Sequence, residues 1–145
     1  MYLRAFLPIF FLCIAWYEWY PEPVYDFTGI DIFAGDVIKV TVAAYSGTSG
    51  NIMVENLTRS QTVSQTLTST TALCRQDAEW IVQNFALNNV LTPLANFGTV
   101  TFTDAEAIGD EIFTPSDAII VDIQQNDQIL TSVSTSEYSV TVQYV

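Results

Sequence analysis

Apolar and polar residues alternate along most of this chain, and turn residues interrupt the alternation at short intervals. That is the pattern of consecutive strands. Ala15 to Tyr20 is aromatic-rich and is stopped by Pro21 and Pro23. Asp36 to Tyr45 reads as a long strand behind the turn signal Ala34-Gly35-Asp36. The loop Ser46-Gly47-Thr48-Ser49-Gly50 joins it to a strand over Asn51 to Thr58, and Gln61 to Thr68 follows. Ala78 to Phe85, rich in aromatic and β-branched residues and free of glycine and proline, predicts an inner strand. Gly98 to Thr103, Ala118 to Gln124, Ile129 to Val133 and Tyr138 to Val145 continue the series. Asn126-Asp127 falls where a hairpin turn between Ile123 and Ile129 belongs. No stretch keeps a helical period, and only Ser116 to Ala118 predicts a short turn. The spacing indicates an all-β antiparallel sandwich or barrel.

The length of 145 residues suits one domain with a real core, and no repeat or second domain is visible. Half the residues are hydrophobic and only 14% are charged, which sets the chain apart from disordered sequences. Sixteen acidic residues against four basic ones give a net charge of -12, so nucleic acid is excluded as a partner. Below about pH 4 the carboxylates are protonated and little charge remains to repel itself. Composition therefore fits either a protein of acidic surroundings or an ordinary soluble secreted one. No histidine is present, which excludes a Ser/His/Asp or Cys/His triad and any His-ligated zinc. Cys13 and Cys74 cannot make a Cys-rich metal site and need not pair.

Met1 to Ala15 carries Arg4 and then an apolar run from Ala5 to Ile14. It reads as a secretory signal, as a first strand, or as wrongly translated sequence joined at Ala15, and it is too short for a membrane span. Residues 15–145 then form the domain. Asn56-Leu57-Thr58 is a glycosylation sequon, usable if the chain is secreted.

Two segments carry unusual side chains for a sandwich. In Ala15-Trp16-Tyr17-Glu18-Trp19-Tyr20-Pro21, face alternation puts Trp16, Glu18 and Tyr20 together and Tyr17 and Trp19 opposite. Such a wall suits a peptide or a sugar ring, or it is a heavy core strand with Glu18 at its exposed end. In the inner strand, Glu79 shares its face with Ile81, Gln83 and Phe85, and Ala78, Trp80, Val82 and Asn84 take the other. A carboxylate between apolar neighbours is costly unless partnered, so it lies at a solvated edge or serves chemistry.

Trp16 to Pro21 (W-Y-E-W-Y-P) and Ala72 to Phe85, with its A-L-C and A-E-W-I-V elements, resemble the glutamic peptidases, or eqolisins. These are acid endopeptidases of fungi and some bacteria. Gly35 to Val42, Val54 to Thr58, Ala95 to Phe102 and Val140 to Val145 extend the resemblance over essentially everything from Ala15 to Val145. It implies a lectin-like (concanavalin-like) β-sandwich of two curved antiparallel sheets, with the substrate cleft on the concave face. It implies acid proteolysis without metal or cofactor, a protein or peptide substrate, and a secreted monomer. Once the first segment is removed, no stable membrane association is expected. The catalytic acid/base falls on Glu79, and the cleft glutamate falls on Glu18. Trp16 and Tyr20 become cleft walls. For Glu79 to be ionised in acid, hydrogen-bond donors should surround it.

The same resemblance implies a second catalytic residue, a glutamine upstream of W-Y-E-W-Y-P. Only fourteen residues precede Ala15 and none is glutamine, so the sandwich is expected to be incomplete at its amino terminus. Cys74 is then without an upstream partner, and a bridge to Cys13 stays open. Three readings follow: an acid endopeptidase lacking its glutamine, an inactive remnant that binds peptide or glycan, or a fragment with no stable fold.

Overall fold

The computed structural model describes residues 2–6, 13–84, 86–87 and 90–145. It divides into two compact units, Met1–Asp77 and Ala78–Val145, at a point where no proline or glycine marks a linker.

The first unit holds two three-stranded antiparallel sheets. One is formed by β1 (Tyr2–Phe6), β2 (Ile14–Glu18) and β3 (Tyr25–Asp26), in that order. Tyr2–Phe6 pairs with Ile14–Glu18, while Met1 and residues 7–12 lie outside the described residues. The other is the meander β4 (Ile38–Ala44), β5 (Ser49–Asn56) and β6 (Gln61–Thr68). Along β5, Gly50, Ile52, Val54 and Asn56 are buried, and Ser49, Asn51, Met53 and Glu55 are half-buried. That strict period of two is what a central strand requires, because a slip of one residue would expose the whole apolar set. Ile52 and Val54 join Cys13, Ala15 and Ile32 in the core, with Tyr17, Phe27, Ile30, Ile38, Val63 and Leu67 packed around them. Each fully buried Ile or Val stabilises by about 1.5–3 kcal/mol relative to exposure. On the outer face, Lys39 stands directly opposite Glu55 and pairs with it at 3.3 Å.

Asn56 closes this unit at its base. Its Nδ2 donates to the Asp31 carbonyl and to Asp36 Oδ2, both at 2.7 Å, and its Oδ1 accepts from the Arg59 N–H at 3.1 Å. With 1% exposure and its amide in use, it offers nothing to a glycosylating enzyme in the folded state. The sequon reading is corrected on that ground. Asp36 Oδ2 also accepts from the Phe33 N–H at 3.0 Å and Arg59 Nε at 2.9 Å, and the guanidinium lies 4.1 Å over the Phe33 ring. The Asn56 amide foremost, then the Phe33 N–H and Arg59, hold the Asp36 carboxyl below its usual range against the opposing effect of burial. A lowered folded value means stability that is present above the unfolded value near 3.8 and lost as pH falls through the folded one. Asp36→Asn should therefore lower the melting temperature at pH 6 by a few degrees, with the gap closing as pH falls through the lowered carboxyl value. Thermal melts of both proteins across this range check it, and a gap that persists in acid contradicts it.

Cys13 is buried and Cys74 exposed, and no bridge joins them. Burial, and secondarily the Asp36 carboxylate, push the Cys13 thiol up, away from reactivity.

In the second unit the main sheet runs β14 (Thr131–Ser136), β15 (Ser139–Tyr144), β9 (Thr99–Thr103), antiparallel throughout. Val140 and Val142 of β15 are buried, as are Ala105, Pro115 and Thr131. Two-residue pairs make three small hairpins: β7 (Ala86–Leu87) with β8 (Val90–Leu91), β10 (Ala107–Ile108) with β11 (Ile112–Phe113), and β12 (Gln124–Gln125) with β13 (Gln128–Ile129). The last turns at Asn126-Asp127 with both φ positive (52° and 60°), as the sequence predicts. The only helical piece among the described residues is a 3-10 turn at Pro115–Asp117.

Ala118 to Gln124 departs from expectation. Pairing begins only at Gln124, and Ile119 and Val121 are 93% and 78% exposed. A hydrophobic run becomes a strand only with a partner, and among the described residues this run meets its neighbour only at its end, where the Ile123 carbonyl accepts from the Leu130 N–H at 2.8 Å. Exposed apolar chain of this kind promotes association. Ile119→Lys with Val121→Lys should shift the protein toward monomer at high concentration. Sedimentation over a concentration series reads this, and unchanged association would acquit the segment.

Candidate active site

β2 presents Ala15 and Tyr17 to the core and Trp16 and Glu18 to the other side, both half-buried. Tyr17 is fixed there by stacking on Tyr25 at 5.7 Å and by a tilted contact with Phe27 at 4.8 Å. The alternation stops at Glu18, because the chain turns over Pro21 with Glu22 N–H bonding the Trp19 carbonyl at 2.7 Å. Tyr20 therefore lies in a turn, 64% exposed, and is not a third position on the Trp16–Glu18 face. Trp19 goes inward: it is 2% exposed and its Nε1 donates to the Thr71 carbonyl at 2.8 Å.

Glu79 belongs to the second unit and is exposed. The predicted inner strand around it is corrected, since Ala78–Asn84 has no ladder partner among the described residues, and Phe85 lies outside them. Its side chains still alternate: Trp80, Val82 and Asn84 are half-buried, and Glu79, Ile81 and Gln83 exposed. Propensity and periodicity are those of a strand, and pairing is what is lacking. The donors expected around Glu79 are not found among the described residues. The candidates thus divide, with Trp16 and Glu18 together on one face of β2, Tyr20 in the turn beyond, and Glu79 in the other unit.

A cavity of about 300 Å³ opens in the first unit between Tyr17, Asp26, Phe27 and Thr28 on one side and Val63, Ser64 and Gln65 of β6 on the other. It lies on the Tyr17 side of β2, and none of the four candidate residues lines it. Among the described residues, no three His, Cys, Asp or Glu side chains converge as a metal site would need. Sequence reasoning missed the side-chain bonds before and after the Glu79 segment. Trp19 holds Thr71, and Asn84 and Thr92 bond each other through Asn84 Nδ2 to the Thr92 carbonyl and Thr92 Oγ1 to Asn84 Oδ1. No local motif signals the Trp19 bond, which joins residues 52 positions apart.

An antiparallel all-β chain carrying W-Y-E-W-Y-P on one strand and A-E-W-I-V on a later segment belongs to the Peptidase A4 family, whose model matches residues 13–144. Among its relatives are Aspergillopepsin-2 of Aspergillus niger and Scytalidopepsin B of Scytalidium lignicola. The first is 51% identical over 134 residues, 90% of this chain and 48% of that protein. The second is 41% identical over 141 residues, 90% of this chain and 54% of that protein. The chain spans about half the length of these curated relatives. The crystal structure of aspergilloglutamic peptidase from Aspergillus niger matches with a TM-score of 0.85 at 50% identity, covering 92% of this chain and 80% of that one. Scytalido-glutamic peptidase with a transition state analog inhibitor matches at 0.80 and 38% identity, covering 92% and 69%. Those structures are β-sandwiches, and the expected fold class is borne out.

Proposed function

We propose that this chain carries the peptide-hydrolysing chemistry of the glutamic type, with Glu79 as acid/base. The observation that carries the reading is the family match, which spans both the Glu18 and the Glu79 motifs without a break. The Glu79 carboxylate takes a proton from a water that attacks the scissile carbonyl, and returns it to the departing nitrogen as the tetrahedral intermediate collapses. Its exposure leaves room for that water. Glu18 and Trp16 contact the substrate from β2, with Tyr20 at the turn. The acidic composition suits work in acid outside the cell.

None of Gln61, Gln65, Gln76, Gln83, Gln124, Gln125, Gln128 and Gln143 is assigned the role of the family's glutamine. Gln61 is engaged with Asp31, and Gln125 with Thr92 and Leu94. A second reading is an inactive sandwich that binds peptide or glycan through Trp16, Glu18 and Tyr20, and the half-buried Trp16 and Glu18 on one face of β2 favour it. The test is hydrolysis of an unfolded protein by the purified chain at pH 2–5 (roughly the carboxylate range), with peptide binding measured in parallel. Turnover supports the enzyme, whereas binding without turnover moves the conclusion to the second reading.

A further inference from the structure

We infer that the open edge of β6 is the contact through which two copies of this chain form a dimer, β6 of one copy pairing antiparallel with β6 of the other. The contact lies wholly within the first unit and is independent of the reaction assigned to Glu79. It departs from the monomer that the family resemblance implies.

β6 is the last strand of the meander β4–β5–β6, so one side of it pairs with β5 and the other has no strand beside it among the described residues. Apart from the β5 ladder, no backbone hydrogen bond among the described residues reaches 62–68. The cavity of about 300 Å³ opens against Val63, Ser64 and Gln65, and Ser64, Gln65 and Thr66 are exposed. Edge strands are ordinarily blunted by a charge, a proline, a bulge or sheer shortness, because their free N–H and C=O groups accept another extended chain. In the first unit β1 contains Arg4, β4 contains Lys39, and β3 is two residues long. β6, Q-T-V-S-Q-T-L-T over eight residues, has no charge, proline or glycine. It also pairs with β5 residue for residue, without a bulge.

The faces of β6 are set by β5. Gln61, Val63, Gln65 and Leu67 stand opposite the buried Asn56, Val54, Ile52 and Gly50, and Thr62, Ser64, Thr66 and Thr68 take the outer face. A copy related by a two-fold axis through the sheet must match core face to core face, because a slip of one residue turns every side chain over. Near the strand centre two registers do so. Centring on Ser64 sets Val63 against Gln65 and Gln61 against Leu67, apolar against amide. Centring on Gln65 sets Val63 against Leu67 on both sides of the axis, Gln65 against Gln65, Ser64 against Thr66, and Thr62 against Thr68. The second register pairs each side chain with its own kind, which is how cross-strand neighbours stabilise a sheet.

That register also accounts for Gln65. It holds a core-face position opposite the fully buried Ile52, yet it is exposed. Among the described residues its Nε2 reaches the Thr66 carbonyl of its own strand at 3.0 Å, and its Oε1 accepts nothing. Two glutamines facing each other across the axis satisfy both amides. Val63 and Leu67, half-buried in a single copy, cover each other. Charge favours the same contact. Each copy carries a net charge of -12, so two copies meet with least repulsion along a stretch that has none.

The experiment uses the whole chain with Cys74→Ser, which removes the exposed native thiol. Sedimentation velocity over a concentration series should show a monomer–dimer equilibrium, and a monomer at every concentration overturns the inference. Gln65→Cys should oxidise to a disulfide-linked dimer, because directly opposite residues of an antiparallel pair have Cα atoms about 4.5–5.5 Å apart. Ser64→Cys should link at least ~10-fold more slowly, since its own copy lies on the diagonal at roughly 7–8 Å. Faster linking through Ser64→Cys overturns the proposed pairing. Gln65→Lys sets like charges opposite each other and should weaken the dimer about fivefold or more. A dimer that withstands Gln65→Lys and dissolves with Ile119→Lys and Val121→Lys belongs to the Ala118 to Ile123 run, and β6 is then wrong.

Discussion

Glu79→Gln should lower hydrolysis of an unfolded protein at acid pH by roughly 10²–10⁴-fold. Glutamine has the shape of glutamate but cannot take a proton from water or give one to a leaving amine, so the change removes the chemistry and little else. Glu79 is exposed and engages no hydrogen bond among the described residues, so the fold has nothing to lose by it. Surface substitutions of that kind stay within about 0.5 kcal/mol. The melting temperature should be unchanged, and a rate loss with an intact melt assigns the effect to the reaction. Glu106→Gln, at another exposed carboxylate, is the matching control and should leave the rate alone. Cleavage by Glu79→Gln within twofold of the parent would remove Glu79 from the mechanism.

Asn56→Ala should destabilise the first unit by roughly 2–4 kcal/mol. Three groups lose their partner at once: the Asp31 carbonyl, the Asp36 carboxylate and the Arg59 N–H. The position is 1% exposed, so water does not readily replace the amide. Leaving a buried acceptor unpaired costs about 1–3 kcal/mol, and more when it is charged. Part of the cost is relieved because Asp36 keeps its bonds from Phe33 and Arg59. Urea unfolding monitored on β5 measures this directly. A loss under ~1 kcal/mol would mean that the network relaxes around the gap.

Strands whose partners are their chain neighbours were legible. The meander β4–β5–β6 and β15 beside β14 fall where alternation puts them, to within a few residues, and alternate residues of β5 and β15 are buried; β9 does so too, although its partner β15 is distant in the chain. Asn126-Asp127 was readable for a different reason: both residues tolerate positive φ, which a tight hairpin demands. Ala78 to Asn84 and Ala118 to Ile123 read equally well as strands and are not paired. Propensity describes how a segment fits beside a neighbour, and it carries no information on whether that neighbour exists. At the site, Trp16 and Glu18 on one face followed from alternation, whereas Tyr20 did not, because a turn overrides the period. The sequon at Asn56 shows the same limit, since three residues name a chemistry but not whether the asparagine is already spoken for. Trp19 holding Thr71 and Asn56 holding Asp36 are bonds across long separations, and only the folded chain brings those atoms together.

The boundary after Asp77 also decides how this protein reports on itself. Trp16 and Trp19 lie before it and Trp80 after it. Each unit has its own buried side chains, Ile52 and Val54 among them in one and Val140 and Val142 in the other. Two compact units need not melt together, and a single unfolding midpoint would then average two events. Intrinsic fluorescence separates them without any label. The shielded indole of Trp19 emits to the blue and shifts red when the first unit opens, and Trp80 follows the second.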